Sequence, residues 1–421
     1  MPPLGIALVA ALTPPGVDVS LTDENVTAVD LEKDVDLVGI SVVTLAAPRA
    51  YEIADGFRAR GVKVVLGGVH ATLCPDEAGE HADAVVMGEA EGVWPTLVED
   101  FMAGRLQRTY QNRERPSLAG LPIPRRDLLA RNGYLFRGTL STTRGCPFSC
   151  SFCSVTSFFG HTYRSRPLDE VLAEIDALAD SRFLFFVDDN IVGNPRYARE
   201  LFQALVPYRK KWIAQASINI ANDEELLRLA AAGGCVGVLI GLESVSPASL
   251  AGVHKKINVP DEYGPAITRI RSHGIAVHGF FIFGFDDDDE SVFERTVRFC
   301  QEARLESASF GVLMPLPGTF LYQSLDREKR ILTKDWTRYD DNAVFEPTGM
   351  STDALERGTQ WAWQEFYSLP SIWKRLGTVH HPNVLALWVI NLYIRYFYLS
   401  ARTRRRASIQ VGHGPEPRTR P

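Results

Sequence analysis

Apolar residues recur along this chain in two rhythms that take turns. Short buried runs at Asp36–Val43, Val62–Leu66 and Ala82–Met87 read as strands, and Arg49–Arg60 and Gly92–Ala103 carry helical spacing. Gly67-Gly68 ends the second run and Gly88 the third. Strands alternating with helices predict a parallel, doubly wound sheet over residues 1–110. Ligands on such sheets bind at the loops that follow the strands. Here those loops are Ser41–Thr44, Gly67–Thr72 and Gly88–Gly92.

A proline- and arginine-rich stretch, Gln107–Asn132, breaks the pattern and sets a connector at residues 111–134. A second alternation fills residues 135–330. Its predicted strands are Thr139–Thr143, Phe183–Val187, Trp212–Ser217, Val236–Gly241, Ala276–Phe283 and Ser307–Leu313. Helical stretches fall near 167–180, 195–206, 223–232, 261–273 and 290–303. Six such units predict a partial α/β barrel, with its chemistry at the C-terminal strand ends. That rule gathers Cys146–Cys153, Asp188–Asn190, Ser217–Asn219, Glu243-Ser244, Gly284 and Met314–Pro317 around one mouth. Residues 331–400 read as helical and rich in tryptophan, and 401–421 as a disordered basic tail.

Composition narrows the function. With 45% hydrophobic and 23% charged residues, the 421-residue chain has a globular balance, and its net charge of −6 argues against nucleic-acid binding. Met1 leads into an apolar segment with no charged run before it, so no secretion signal is expected. Three of the six cysteines fall within eight residues, which is no disulfide framework and points to a reducing, cytoplasmic setting. Val384–Ser400 is the longest apolar run, interrupted by Asn391 and Arg395. Followed by Arg402, Arg404, Arg405 and Arg406, it reads either as an amphipathic helix on an anionic membrane or as a final helix docked on the barrel.

The sharpest signal is Cys146-x3-Cys150-x2-Cys153 in TTRGCPFSCSFCS. Thiolates bind iron–sulfur clusters, and three cysteines on a four-iron cubane leave one iron open to a substrate amine and carboxylate. Gly145 and Pro147 favour a tight loop whose amides can bond cluster sulfurs. The competing reading is structural zinc with His161 as fourth ligand, but zinc ribbons pair two Cys-x2-Cys knuckles.

On this motif the chain resembles the radical S-adenosylmethionine superfamily. The resemblance covers residues 135–330 and implies a [4Fe–4S] cluster that cleaves S-adenosylmethionine to a 5′-deoxyadenosyl radical. It implies that Phe152 packs on the adenine, and that FFVDDNI with Asp188 and Asp189 receives the methionine amino group. ASINIA with Ser217 and GVLIGLES with Glu243 and Ser244 would lie beside the same cofactor. FIFGF (Phe281–Phe285) and LMPLPGT (Leu313–Thr319) are similar to the closing strand ends. Asn190 reads equally well as a cap on the next helix.

PPLGIALVAAL, DENV, GGVHATLCPDEA and GEAEG resemble the cobalamin-binding domain of one branch of that superfamily. Ser41, Thr44, Gly67, Gly68, His70, Gly88 and Glu89 would then face cobalamin, with glycines admitting a flat corrin. An Asp-x-His-x-x-Gly motif is missing, and His70 is the nearby candidate for cobalt. Branch members usually carry a further strand before the PPLG segment, so either the start codon lies upstream or the sheet lacks an edge element. The resemblance implies methylation of an unactivated carbon, on a lipid as in hopanoid methylases or on a secondary metabolite, with an external flavodoxin or ferredoxin as electron donor. The alternatives are radical rearrangement or cyclisation without methyl transfer, and a non-catalytic metal scaffold.

Overall fold

The computed structural model describes residues 1–411 apart from 113, 131, 135, 341 and 378–382, with side chains given as far as 397. Val64, Val65 and Leu66 explain its first half. Val64 and Leu66 pack with Ala50, Ile53 and Phe57 of the helix Ala47–Ala59, whereas Val65 joins Val86, Leu97 and Val98 on the other side. Successive strand side chains point to opposite faces, and a run apolar on both suits a parallel sheet covered twice by helices. Four parallel strands form, in the order β1 (Leu37–Ser41), β2 (Lys63–Gly67), β3 (Ala84–Met87) and β4 (Thr109–Gln111).

β4 falls at the start of the stretch that the sequence marks as connector. Its Thr-Tyr-Gln is too short and polar to show a period. Tyr110 is its one buried residue, and its hydroxyl donates to Asp100 at 3.1 Å.

The second sheet is also parallel, with strands in chain order. They are β5 (Gly138–Leu140), then β8 (Phe183–Phe186), β9 (Lys211–Ala216), β10 (Cys235–Glu243), β11 (Ala276–Phe283) and β12 (Ser307–Val312). Between β5 and β8 comes a two-stranded antiparallel ribbon, β6 (Thr143–Gly145) and β7 (Tyr163–Ser165). Helices Leu168–Ala177, Pro195–Leu205, Glu224–Ala232, Pro260–Ser272 and Ser291–Glu302 fill the crossovers. This is the six-unit partial barrel that the alternation predicts. The expected strand Thr139–Thr143 is split, because the amides of Thr142 and Thr143 turn out of the ladder onto the Asp188 carboxylate.

The C-terminal region closes the N-terminal ends of β11 and β12. Arg375 of the helix Leu369–Leu376 is fully buried and donates to the carbonyls of Leu305, Glu306 and Phe366 and to Asn391. Its guanidinium lies 3.7 Å from the Phe366 ring centroid. Asn391 and Arg395, the interruptions of the apolar run, do the docking of the last helix. Asn391 donates to the Glu306 carbonyl at 2.9 Å and Arg395 to that of Tyr367 at 3.0 Å. This helix, Val384–Val411, continues through the first half of the tail expected to be disordered from 401; residues 412–421 lie outside the described ones. Among the described residues no helix is long and apolar enough to cross a membrane. Trp336 and Trp363 are held within the protein, whereas Trp361 and Trp373 are exposed.

Arg375→Ala strips the donors from three buried carbonyls and from Asn391. It is expected to cost about 3 kcal/mol, against at most ~0.5 for the exposed neighbour Lys374→Ala. Chemical denaturation of the two variants measures the difference.

Candidate cofactor site

Gly145 opens the cysteine loop at φ 87°, and a Cβ there would collide with the Thr162 carbonyl, so the tight turn needs glycine. Cys146, Cys150 and Cys153 follow, ahead of the helix Ser154–Phe159. The loop is pinned from two sides. Ser151 N–H donates to the Val253 carbonyl at 3.1 Å, and the Ser151 carbonyl accepts from Leu321 N–H at 2.9 Å.

All three thiols are free, and burial pushes each up, Cys153 to about 11. A bound metal would therefore displace their protons. The donor set fits an iron–sulfur cluster better than zinc. A tetrahedral zinc needs its sulfurs about 3.8 Å apart, from Zn–S bonds of about 2.3 Å, whereas a cubane carries each thiolate on a separate iron. Among the described residues the trio with donor atoms within 4.8 Å of one another is His70, Cys74 and Glu77, and the three cysteines form no such trio. His161 is exposed.

Beside the loop lies a cation that the sequence reading did not single out. Lys255 Nζ is 3.0 Å from Glu243, with both side chains buried at 15% and 9% exposure. Burial would pull Lys255 down, but the Glu243 carboxylate beside it pushes it up, so it stays charged. In sequence it belongs to a Lys-Lys pair that looks like solvated surface, and only the turn after the short helix Pro247–Gly252 that follows β10 brings it inward. Glu243 sits at φ 64°, where β10 slips its register against β11. A non-glycine residue there costs about 1–2 kcal/mol, a strain that clusters at functional sites. Ser244 is buried in the same turn, its hydroxyl oxygen accepting from Ser246 N–H at 3.0 Å. Phe152 lies 6.3 Å from the Phe285 ring.

The Asp-Asp-Asn segment divides its labour. Asp188 is fully buried and accepts from the amides and hydroxyls of Thr142 and Thr143, while burial pushes its carboxyl up to about 6. It clamps the strand end and does not face the mouth, which corrects the expectation that it meets a cationic ligand. Asp189 accepts from Gly145 N–H at 3.0 Å and lines the large cavity described below. Asn190 caps no helix. Its Nδ2 donates to Ser217 Oγ at 3.1 Å, and Asn194 caps Pro195–Leu205 instead.

A cavity of about 1010 Å³ runs between the N-terminal sheet and the barrel mouth. That is the upper end of the usual small-molecule pocket of ~300–1,000 Å³. Ser41, Gly67, Gly68, Gly88 and Glu89 line one side, and Thr143, Arg144 and Asp189 the other. Gly68 has φ 91°, and a Cβ there would sit 2.9 Å from the backbone of Val42. The turn itself thus requires glycine at 68, and Gly67 and Gly88 add side-chain-free backbone to the cavity wall, which suits a flat macrocycle.

Thr44 and His70 do not line the cavity. The short helix Gly68–Leu73 turns His70 to the other side of the sheet, where its ring nitrogens lie 3.3 Å from Thr44 Oγ1 and 3.0 Å from Tyr51 Oη. Burial lowers its pKa, so the imidazole is a neutral hydrogen-bonding core residue. The expectation of cobalt-facing roles for these two residues is thereby corrected. Glu89 does reach the cavity, but its oxygens are taken by Arg144 at 2.5 Å and Arg164 at 2.7 Å, on β6 and β7.

Comparison with known proteins agrees with this architecture. Residues 140–300 match the family model of the radical SAM superfamily, and 1–98 that of the B12 binding domain. The chain is 33% identical to bacteriochlorophyllide d C-12(1)-methyltransferase of Chlorobaculum tepidum, over 89% of this chain and 84% of that protein. It is 27% identical to hopanoid C-2 methylase of Rhodopseudomonas palustris, over 80% and 66%. The solved structure of OxsB, a cobalamin-dependent S-adenosylmethionine radical enzyme, superposes with a TM-score of 0.64 at 14% identity, covering 87% of this chain and 64% of that one. The chain belongs to the radical SAM superfamily, in its B12-binding branch. The cofactors of this class are a [4Fe–4S] cluster, S-adenosylmethionine and cobalamin.

Among the described residues Glu89, its side chain 2% exposed, is the acid that faces both Arg144 and Arg164. Glu89→Ala takes the shared carboxylate from two half-buried guanidinium groups, leaving Arg144 its pair with Glu91 and Arg164 its bond to the Pro116 carbonyl. A loss of about 3–5 kcal/mol is expected in denaturant titration.

Proposed function

We propose that this chain is a cobalamin-dependent radical C-methyltransferase acting on an apolar, ring-bearing small molecule. The observation that carries the reading is one cavity lined by the glycine loops of the N-terminal sheet and, on the barrel side, by Thr143, Arg144, Asp189 and Phe158 and Phe159 of the helix that follows the cysteine loop. The two methylating relatives work on bacteriochlorophyllide d and on hopanoids, both ring systems, and this supports the substrate class.

When bound, the cluster supplies the electron that cleaves S-adenosylmethionine, and cobalamin supplies the methyl group. The chain does the rest. Cys146, Cys150 and Cys153 would hold the cluster through their thiolates. Lys255, charged and next to Cys150 and Cys153, receives the carboxylate of the methionine moiety. Glu243, fixed by Lys255, accepts from ribose hydroxyls, and Phe152 and Ser244 bound the adenosine side. Asp189 offers its carboxylate to the amino group while holding Gly145, and Asn190 with Ser217 keeps that strand end in place. Ser41, Gly67, Gly68 and Gly88 bear on the corrin. Ile40, Val65, Val86 and Trp94 give the cavity an apolar wall.

The test is anaerobic turnover with methyl-deuterated S-adenosylmethionine and a candidate ring substrate. Label should enter the product, with both S-adenosylhomocysteine and 5′-deoxyadenosine formed and both dependent on cobalamin. An unlabelled product, formed at the same rate without cobalamin, would replace methyl transfer with rearrangement.

A second outcome isolates Lys255. Lys255→Gln should keep its iron and sulfide content yet raise KM for S-adenosylmethionine about tenfold or more, a factor worth ~1.4 kcal/mol. An unchanged KM would remove the lysine from the cofactor site.

A further inference from the structure

The last helix is docked by one face and bare on the other. Leu387, Asn391 and Ile394 face the protein. Opposite them, at helical spacing, Leu385, Val389, Tyr393 and Tyr396 are 60–77% exposed, with Leu392 and Phe397 alongside. The patch runs on to Trp373, 67% exposed, whose ring meets Trp388 at 5.9 Å. An exposed apolar patch of this kind marks an interaction surface.

Charge names the occupant. The chain as a whole carries −6, yet Val384–Val411 holds five arginines (Arg395, Arg402, Arg404, Arg405 and Arg406) and no acidic residue. Exposed tyrosine and tryptophan beside aliphatic residues suit the boundary between acyl chains and headgroups. An arginine cluster continuing the same helix suits an anionic headgroup layer. The same helix of a second copy, having no acidic residue, would bring these arginines no countercharge, whereas an anionic headgroup layer does.

We propose that this helix lies on the surface of an anionic bilayer and holds the protein there as a peripheral, non-spanning anchor. Arg375 and Asn391 fasten it to Leu305 and Glu306, just ahead of β12, whereas the cysteines follow β6 at the mouth. The anchor therefore leaves the mouth uncovered.

The experiment is co-sedimentation of the full chain with phosphatidylglycerol or phosphatidylcholine vesicles across a salt series. Binding should favour phosphatidylglycerol and weaken with salt. Val389→Ser/Tyr393→Ser/Tyr396→Ser should weaken it at least tenfold without altering cleavage of S-adenosylmethionine. Arg402, Arg404, Arg405 and Arg406 changed together to Gln should erase the lipid preference, at about fivefold per arginine. Equal sedimentation of the unaltered chain and both variants overturns the proposal. So does a dimer, seen by light scattering, that the triple variant abolishes while neither form binds vesicles.

Discussion

Everything this protein is built to do depends on holding the N-terminal sheet and the barrel on either side of one cavity, with the helix after the thiol loop at its wall. Glu89 carries that constraint. It leaves the third strand of the N-terminal sheet at Gly88 and grips Arg144 and Arg164, one from each strand of the ribbon that frames the cysteines. A buried carboxylate between two guanidinium groups repays its desolvation only when the geometry is held, so the pair also fixes the spacing of the two halves. On the far side Trp336, from the segment after the barrel, packs into the N-terminal core and donates to Glu77 at 2.8 Å.

The cysteine loop inherits its shape from the same place. Asp188 draws the amides of Thr142 and Thr143 out of the ladder, Asp189 takes the next free amide at Gly145, and the chain then turns through Cys146. Two adjacent carboxylates thus do scaffold work first, and one of them is left facing the cavity. The strained Glu243 and its partner Lys255 close the opposite flank. Opposed charges inside a mostly apolar mouth suit a zwitterionic ligand that carries an amine and a carboxylate.

How much of this was legible in the sequence depended on how local the signal was. Val62–Leu66 showed a strand because both faces of the sheet are covered, and the Cys-x3-Cys-x2-Cys spacing needed no fold to be read. β4 was lost because three polar residues have no period. Lys255 was lost because an inward lysine and a solvated one look alike until the turn after the short helix Pro247–Gly252 is known. His70 misled for the converse reason: its loop does reach the cavity, but a helix starting at Gly68 swings the ring to the other face. Asn190 could be read as a cap, but the helix starts four residues later, where Asn194 caps it. The interruptions in the last apolar run, Asn391 and Arg395, proved to be its anchors.

The central claim is that one cavity brings cobalamin and the cluster within reach of each other. Electron paramagnetic resonance of protein loaded with cob(II)alamin, with the cluster reduced and then oxidised, tests it most directly. A shared cavity predicts that the cob(II)alamin signal broadens when the reduced, paramagnetic cluster is present, and that Cys150→Ala abolishes the broadening. Cob(II)alamin bound with a lineshape indifferent to the reduced cluster would contradict the account.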